Sequence, residues 1–227
     1  MSAKYSVFIA GLFLACIIGT ALAQTAGPPA GYKIYSDYTT KSPDGTTTIE
    51  QYKKVDADQN WTWQFWARRS DSMTMLAPEQ PDYAAGFRFT NDSKWVMRMQ
   101  KTGSGEQSMY LYKLGPQGFV TATPKPLDDL AWAYFRSLPV SHKVQKPSFH
   151  ITANLVKGVD DNYKSMGESW PDSRYIVIAL SGDAFRHDHQ ITALYDWRCR
   201  YDLQTGKFDV PPDFAANNAA AIAPHNP

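Results

Sequence analysis

Apolar and polar positions alternate along most of this chain, and that alternation predicts strands. In the clearest stretch Trp95, Met97 and Met99 alternate with Val96, Arg98 and Gln100, the two-residue period of a strand with one face buried. The chain then turns at Gly103-Ser104-Gly105, a hairpin tip, and runs through a second alternating segment from Met109 to Leu114. Gly115-Pro116-Gln117-Gly118 leads on into Phe119-Val120-Thr121. A later unit follows the same plan. It has a near-continuous apolar strand from Arg174 to Leu180, a longer polar turn from Ser181 to Gln190, and an alternating run from Thr192 to Leu203. Its last turn is Gln204-Thr205-Gly206-Lys207, before Phe208 and Val210. An earlier unit has Thr46 to Lys53, a polar turn at Asp56-Ala57-Asp58-Gln59-Asn60, and the aromatic run Trp61-Thr62-Trp63-Gln64-Phe65-Trp66.

Each unit opens on a similar polar turn: Ser42-Pro43-Asp44-Gly45, Thr90-Asn91-Asp92-Ser93-Lys94 and Trp170-Pro171-Asp172-Ser173-Arg174. A tight turn feeding a strand, repeated along the chain, predicts β-meander units of three antiparallel strands, with a fourth preceding the marker turn. One segment breaks the pattern. Leu127, Leu130, Ala131, Tyr134, Phe135 and Leu138 fall at helical spacing, with Pro126 at the head and Pro139 as the stop, so a helix is predicted over 126–138. Ser148 to Leu155 reads as a strand of the third unit.

The marker turn, the hairpin that follows it, and Tyr201-Asp202-Leu203 with Thr205-Gly206-Lys207 together resemble the blade repeat of Pro-Asp type β-propellers, including the periplasmic propellers of the Tol system. The resemblance implies stacked blades of antiparallel strands. Asp44 and Asp92 are one blade length apart, but the interval from Asp92 to Asp172 is much longer and holds the helix. Since a closed propeller takes about four blades or more, the expected fold is mainly β: open, propeller-like β-meander repeats with one inserted helix. A two-sheet β-sandwich is the alternative.

The ends add a destination. Lys4 is followed by an apolar run from Val7 to Ile18, broken only by Gly11, and then by Ala21-Leu22-Ala23 before Gln24. This is the pattern of a secretory signal peptide over 1–23, too short to span a membrane. Leu14-Ala15-Cys16 resembles part of a lipobox, but Phe13 stands where Leu is usual and the apolar run continues past Cys16. Residues 24–227 then form a single β-rich domain with a low-complexity tail near 215–227. Export to the periplasm or the extracellular space is expected, without a stable membrane anchor.

Cleavage removes Lys4 and no acid, leaving 22 of the 23 basic residues against 22 acidic ones. That balance offers no footprint for nucleic acid. Of two cysteines only Cys199 would remain, so no disulfide can form within one mature chain. Cys199 lies in Trp197-x-Cys199-x-Tyr201-x-Leu203, the apolar side of a strand, and reads as a buried, inert thiol.

Candidate chemistry is sparse. Asp183, His187, Asp188 and His189 crowd one expected turn; imidazole with carboxylate suits zinc, nickel or iron, and a solvated polar connector is the other reading. His187 and His189 point to opposite faces if the backbone is extended. Equivalent turns of repeated units lie at one end of their sheets, which groups Asp56 and Asp58 with Asp183, His187, Asp188 and His189 as a ligand-facing rim. Asp56-x-Asp58-x-Asn60 resembles the start of a calcium loop, but Trp61 stands where Gly is needed and no closing Glu follows, so calcium is not expected. Trp61, Trp63 and Phe65 make one strand face wholly aromatic, either a sheet core or a surface that stacks on a sugar ring or a partner's loop.

The function expected from all this is a non-catalytic binding or scaffold module with a protein or glycan partner and no cofactor. A small metal-dependent hydrolase using the His187 to His189 turn is the second expectation, and a structural envelope component the third. Mass spectrometry of the exported protein should find Gln24 at the N-terminus; an acylated Cys16 there would overturn the assignment and place the protein on a membrane.

Overall fold

The computed structural model describes residues 27–104, 106–156, 173–186 and 189–222. The expected leader with Cys16, the expected marker-turn residues Trp170, Pro171 and Asp172, the candidate residues His187 and Asp188, and the last five residues lie outside that set. Among the described residues no helix is long and apolar enough to cross a membrane.

The described residues fold into three antiparallel sheets that do not close into a ring, the open β-rich architecture expected. Sheet A comprises β1 (Lys33–Ile34), β2 (Thr40–Lys41), β3 (Thr48–Val55), β4 (Trp61–Arg69), β5 (Ser72–Met75) and β6 (Gln80–Pro81). Its path is β1-β3-β4-β5, with β2 paired to β3 and β6 to β4. Sheet B is a plain meander of β7 (Ala85–Phe89), β8 (Trp95–Gly103), β9 (Glu106–Gly115) and β10 (Gly118–Thr121). Helix α1 (Leu127–Ser137) follows. Sheet D, a second meander, contains β11 (Phe149–Val156), β12 (Tyr175–Arg186), β13 (His189–Asp202) and β14 (Lys207–Asp209). Helix α2 (Ala215–Ala221) ends the described chain. In each four-stranded sheet one strand precedes the marker turn and three follow it, whereas in sheet A two short strands precede it and four follow.

The first two marker turns match bond for bond. Asp44 Oδ1 accepts the N–H of Thr46 at 3.0 Å, and Asp92 Oδ1 accepts that of Lys94 at 3.1 Å, the side-chain capture that makes Asp a turn former. The hydroxyls of Ser42 and Thr90 each donate to that same oxygen at 2.6 Å. They also accept the N–H five residues on, from Thr47 and Trp95. The turns then connect the sheets. Asp44 N–H donates to Ser93 Oγ at 3.1 Å, and Asp92 N–H to Ser173 Oγ at 3.3 Å. Gly45 and Ser93 occupy equivalent places with φ of 73° and 59°. Glycine takes that conformation without steric cost, so Ser93 accepts backbone strain in return for a hydroxyl that glycine could not offer.

Sheet B is the middle layer, buried on both faces. On one side Phe87, Phe89, Val96, Tyr112 and Phe119 join Ile49, Trp63 and Phe65 of sheet A. On the other, Met97, Met109 and Leu111 join α1 and the Ile178, Leu180 and Trp197 face of sheet D. The even-numbered side of β8 is therefore no solvent face: Val96, Arg98 and Gln100 are all 0% exposed. The sheets approach closely at Gly118, where a Cβ would lie 2.0 Å from Thr74 Oγ1. Cys199 is buried in the sheet D core, and burial pushes its thiol up to about 12.

One expectation needs correction. The polar segment Ser181 to Gln190 is strand as far as Arg186 and again from His189. Buried Gly182 and Ala184 alternate with Asp183 and Phe185, and Phe185 stacks on Phe149 at 4.7 Å. The alternation is present but masked by polar side chains. Residues 215–221 of the tail are a helix whose Asn218 mimics a strand. Its Oδ1 accepts the N–H of Arg198 at 2.7 Å and its Nδ2 donates to the Arg198 carbonyl at 2.8 Å, closing part of the open β13 edge.

Arg98 joins sheets A and B. Its Nε and one terminal nitrogen donate to Gln100 Oε1 at 3.0 and 2.8 Å, and the other nitrogen donates to the carbonyls of Leu76 and Pro78 at 3.1 and 2.7 Å. The Tyr112 hydroxyl takes the intervening Ala77 carbonyl at 2.7 Å. Arg98→Ala should lower the unfolding free energy by about 3 kcal/mol or more, because buried carbonyls lose their donors. Arg98→Lys should recover only part, since an ammonium lacks the planar fork. Denaturant titration checks both; a wild-type midpoint for Arg98→Ala would sink this account.

Candidate functional site

The sequence-derived rim residues sit apart in their contacts. Asp56 caps its own turn, accepting from the backbone N–H groups of Asp58 and Asn60 and from the Asn60 side chain; these bonds, the Asn60 side chain foremost, hold its carboxyl below the usual range. Asp58 is exposed. Asp183 lies within β12, where its Oδ2 meets His150 Nδ1 at 3.0 Å and accepts from Gln190 Nε2 at 3.0 Å. His189 is exposed at the start of β13. No hydrogen bond or ion pair joins Asp56 or Asp58 to Asp183 or His189, and among the described residues no three His, Cys, Asp or Glu side chains cluster as metal ligands. His187 and Asp188 lie outside the described set. His150 was missed: a lone histidine within a strand gives no signal until β11 pairs with β12.

The aromatic face divides along its length. Phe65 is 0% exposed and Trp63 4%, both core, whereas Trp61 at the strand's start is 45% exposed. Cross-strand registers Val55↔Trp61, Lys53↔Trp63 and Lys33↔Lys53 put these side chains on one face. Tyr35 joins them, its N–H bonded to the Gln51 carbonyl at 2.9 Å. Its ring meets Trp63 edge-on at 5.6 Å and Tyr38 at 5.1 Å. Lys53 Nζ stands 4.0 Å from the Trp61 ring centroid, 5.4 Å from Tyr35 and 5.6 Å from Trp63.

Tyr38 also lines a groove of about 580 Å³ where sheets A, B and D meet. Tyr83 lines it too, with Lys101 Nζ 4.8 Å from its ring centroid, and Glu106, Gln107 and Asn154 add polar groups. Buried Gln51 braces this corner. Its Oε1 accepts the N–H of Ala85, while its Nε2 donates to the carbonyls of Ala85 and Tyr38. Gln107 Nε2 bridges sheets B and D, donating to the Ala153 carbonyl at 2.7 Å and to Asn154 Oδ1. The result is a set of exposed rings, Trp61, Tyr35 and Tyr38, continued into the groove by half-buried Tyr83. Tyr35 and Tyr38 are close in sequence, but Tyr83 and Lys101 lie far along the chain and only packing brings them alongside.

Comparison with protein-family models, with curated proteins and with solved structures finds no match to this chain.

In the first turn of α1, Asp128 accepts the N–H of Met109 at 2.8 Å. Burial pushes its carboxyl up to about 6, against the pull of that hydrogen bond. The unfolded chain loses this proton near pH 4 and the native protein near pH 6, so the native state binds more protons between those values. The stabilisation is complete below about pH 4 and lost as pH rises through about 6, on the order of 2 to 3 kcal/mol. Asp128→Asn keeps an acceptor for Met109 and should flatten this part of the profile. Urea midpoints from pH 4 to 7 check it; equal slopes in parent and variant would remove Asp128 as the cause.

Proposed function

We propose that the protein is an exported, non-catalytic binding module whose ligand-facing surface is the aromatic groove and the adjoining rim of sheet A. One observation carries the reading: Tyr38, 45% exposed, belongs both to the groove and to the Tyr35–Trp63–Lys53 cluster, so the two form one continuous surface. Exposed tyrosine and tryptophan contribute large contact area at little cost in conformational freedom. The side-chain amides of Gln51 and Gln107 hold the walls before a ligand arrives, which limits the ordering cost of binding. Export rests on the leader pattern of residues 1–23.

The His150–Asp183 pair supports a second reading, proton-transfer chemistry in a hydrolase. Asp183 engages His150 Nδ1 at 3.0 Å, and His150 sits at φ 46°, a strained conformation of the kind found at functional sites. Among the described residues no nucleophile is hydrogen-bonded to it.

Retention on insoluble envelope material of the producing cells tests the first reading. Tyr38→Ala and Tyr83→Ala should each weaken retention by about tenfold, the effect of losing one well-packed aromatic contact, while thermal unfolding stays near the parent's. Retention unchanged in both variants would exclude the groove as the binding surface.

A further inference from the structure

Within the proposed binding surface, the charged groups that stand over the rings are cations. Lys53 stands among Trp61, Tyr35 and Trp63, and Lys101 stands over Tyr83. Lys33 lies directly across from Lys53 in the β1–β3 ladder, a like-charge pairing that weakens a sheet unless something else neutralises it. Asp37, Asp82 and Glu106 are exposed nearby, yet none forms an ion pair with Lys33, Lys53 or Lys101. A ring face attracts an ammonium but leaves its charge in place. The surface therefore offers flat apolar stacking faces in series, with lysines between them that form no ion pair among the described residues.

Resting on the reading of this surface as a binding site, we infer that its ligand is a linear polysaccharide bearing carboxylate groups, of the polyuronate kind. Sugar rings present apolar faces that stack on Trp61, Tyr35, Tyr38 and Tyr83. Carboxylates along the chain meet Lys53 at the rim and Lys101 at the groove. The side-chain amides of Gln107 and Asn154 and the hydroxyl of Thr152, all lining the groove, supply donors and acceptors for sugar hydroxyls. An acidic peptide would satisfy the lysines but gains nothing from rings in series. A neutral glycan would stack but leave the Lys33–Lys53 repulsion in place.

Isothermal titration of the mature protein with polygalacturonate, with neutral hydroxyethylcellulose and with polyglutamate distinguishes these. Polygalacturonate should bind most tightly, and Trp61→Ala and Lys53→Gln should each weaken it by about tenfold. Lys53→Gln should leave the weaker hydroxyethylcellulose affinity unchanged. Binding should fall as salt is raised, because exposed ion pairs are screened. Polyglutamate binding as tight as polygalacturonate, or polygalacturonate binding indifferent to both substitutions, would overturn the assignment. If polygalacturonate fails to bind while envelope retention still depends on Tyr38 and Tyr83, the ligand class is wrong and the binding surface stands. Loss of that dependence removes the surface itself.

Discussion

A positive charge buried without a carboxylate sets the spacing of sheets A and B. Arg98 is wholly inside, and burial holds its guanidinium below its ordinary value, yet an arginine stays charged at any physiological pH. What balances it is a set of dipoles and ring faces. Gln100 Oε1 and the carbonyls of Leu76 and Pro78 accept its N–H groups, and its guanidinium carbon lies 3.9 Å from the Phe65 ring centroid and 4.7 Å from that of Tyr110. The dependence is mutual. Residues 76–78 leave the ladder of sheet A, so their carbonyls need partners, and Arg98 and Tyr112 of sheet B provide them. Because this loop leads into β6 and then to Tyr83, the position of one groove wall follows from the satisfaction of a buried charge.

Elsewhere the sheets are joined by side chains that imitate a neighbouring strand. Gln51 makes both hydrogen bonds of a ladder partner with Ala85, and Asn218 does the same with Arg198. A primary amide carries a donor and an acceptor in the same arrangement as a peptide group, so one residue can complete an edge where no strand fits. The serine links between marker turns belong to the same economy of short connections: Ser93 and Ser173 each receive a backbone N–H from the preceding unit. An open stack has no ring closure to hold its layers in register, and these bonds supply part of that role.

Much of the local structure was legible before folding was considered. The Asp-based turns, the alternating runs of β8 and β9, the helix bounded by Pro126 and Pro139, and the apolar setting of Cys199 all follow from rules that act within a few residues. The candidate site was not legible in that way. Of the residues grouped by turn equivalence, Asp56 and Asp183 make separate local bonds on different sheets. The surface chosen instead depends on Tyr38, Tyr83 and Lys101, which share no motif and become neighbours only when two units stack.

By itself, then, the sequence determined strand and turn positions, because hydrophobic alternation and turn chemistry are properties of adjacent residues. It could not say what covers each strand face. Arg98, Gln100 and Gln51 carry polar side chains, which short-range pattern reading assigns to water. They are buried because partners arrive from residues 76–78, 83 and 85. Trp61 and Trp63 share a strand face, yet one is at the rim and the other in the core, since β1 and the turn at Tyr35–Tyr38 cover only the inner part. Only the packing of one sheet on another decides which polar group finds a partner inside and which aromatic ring is left facing water.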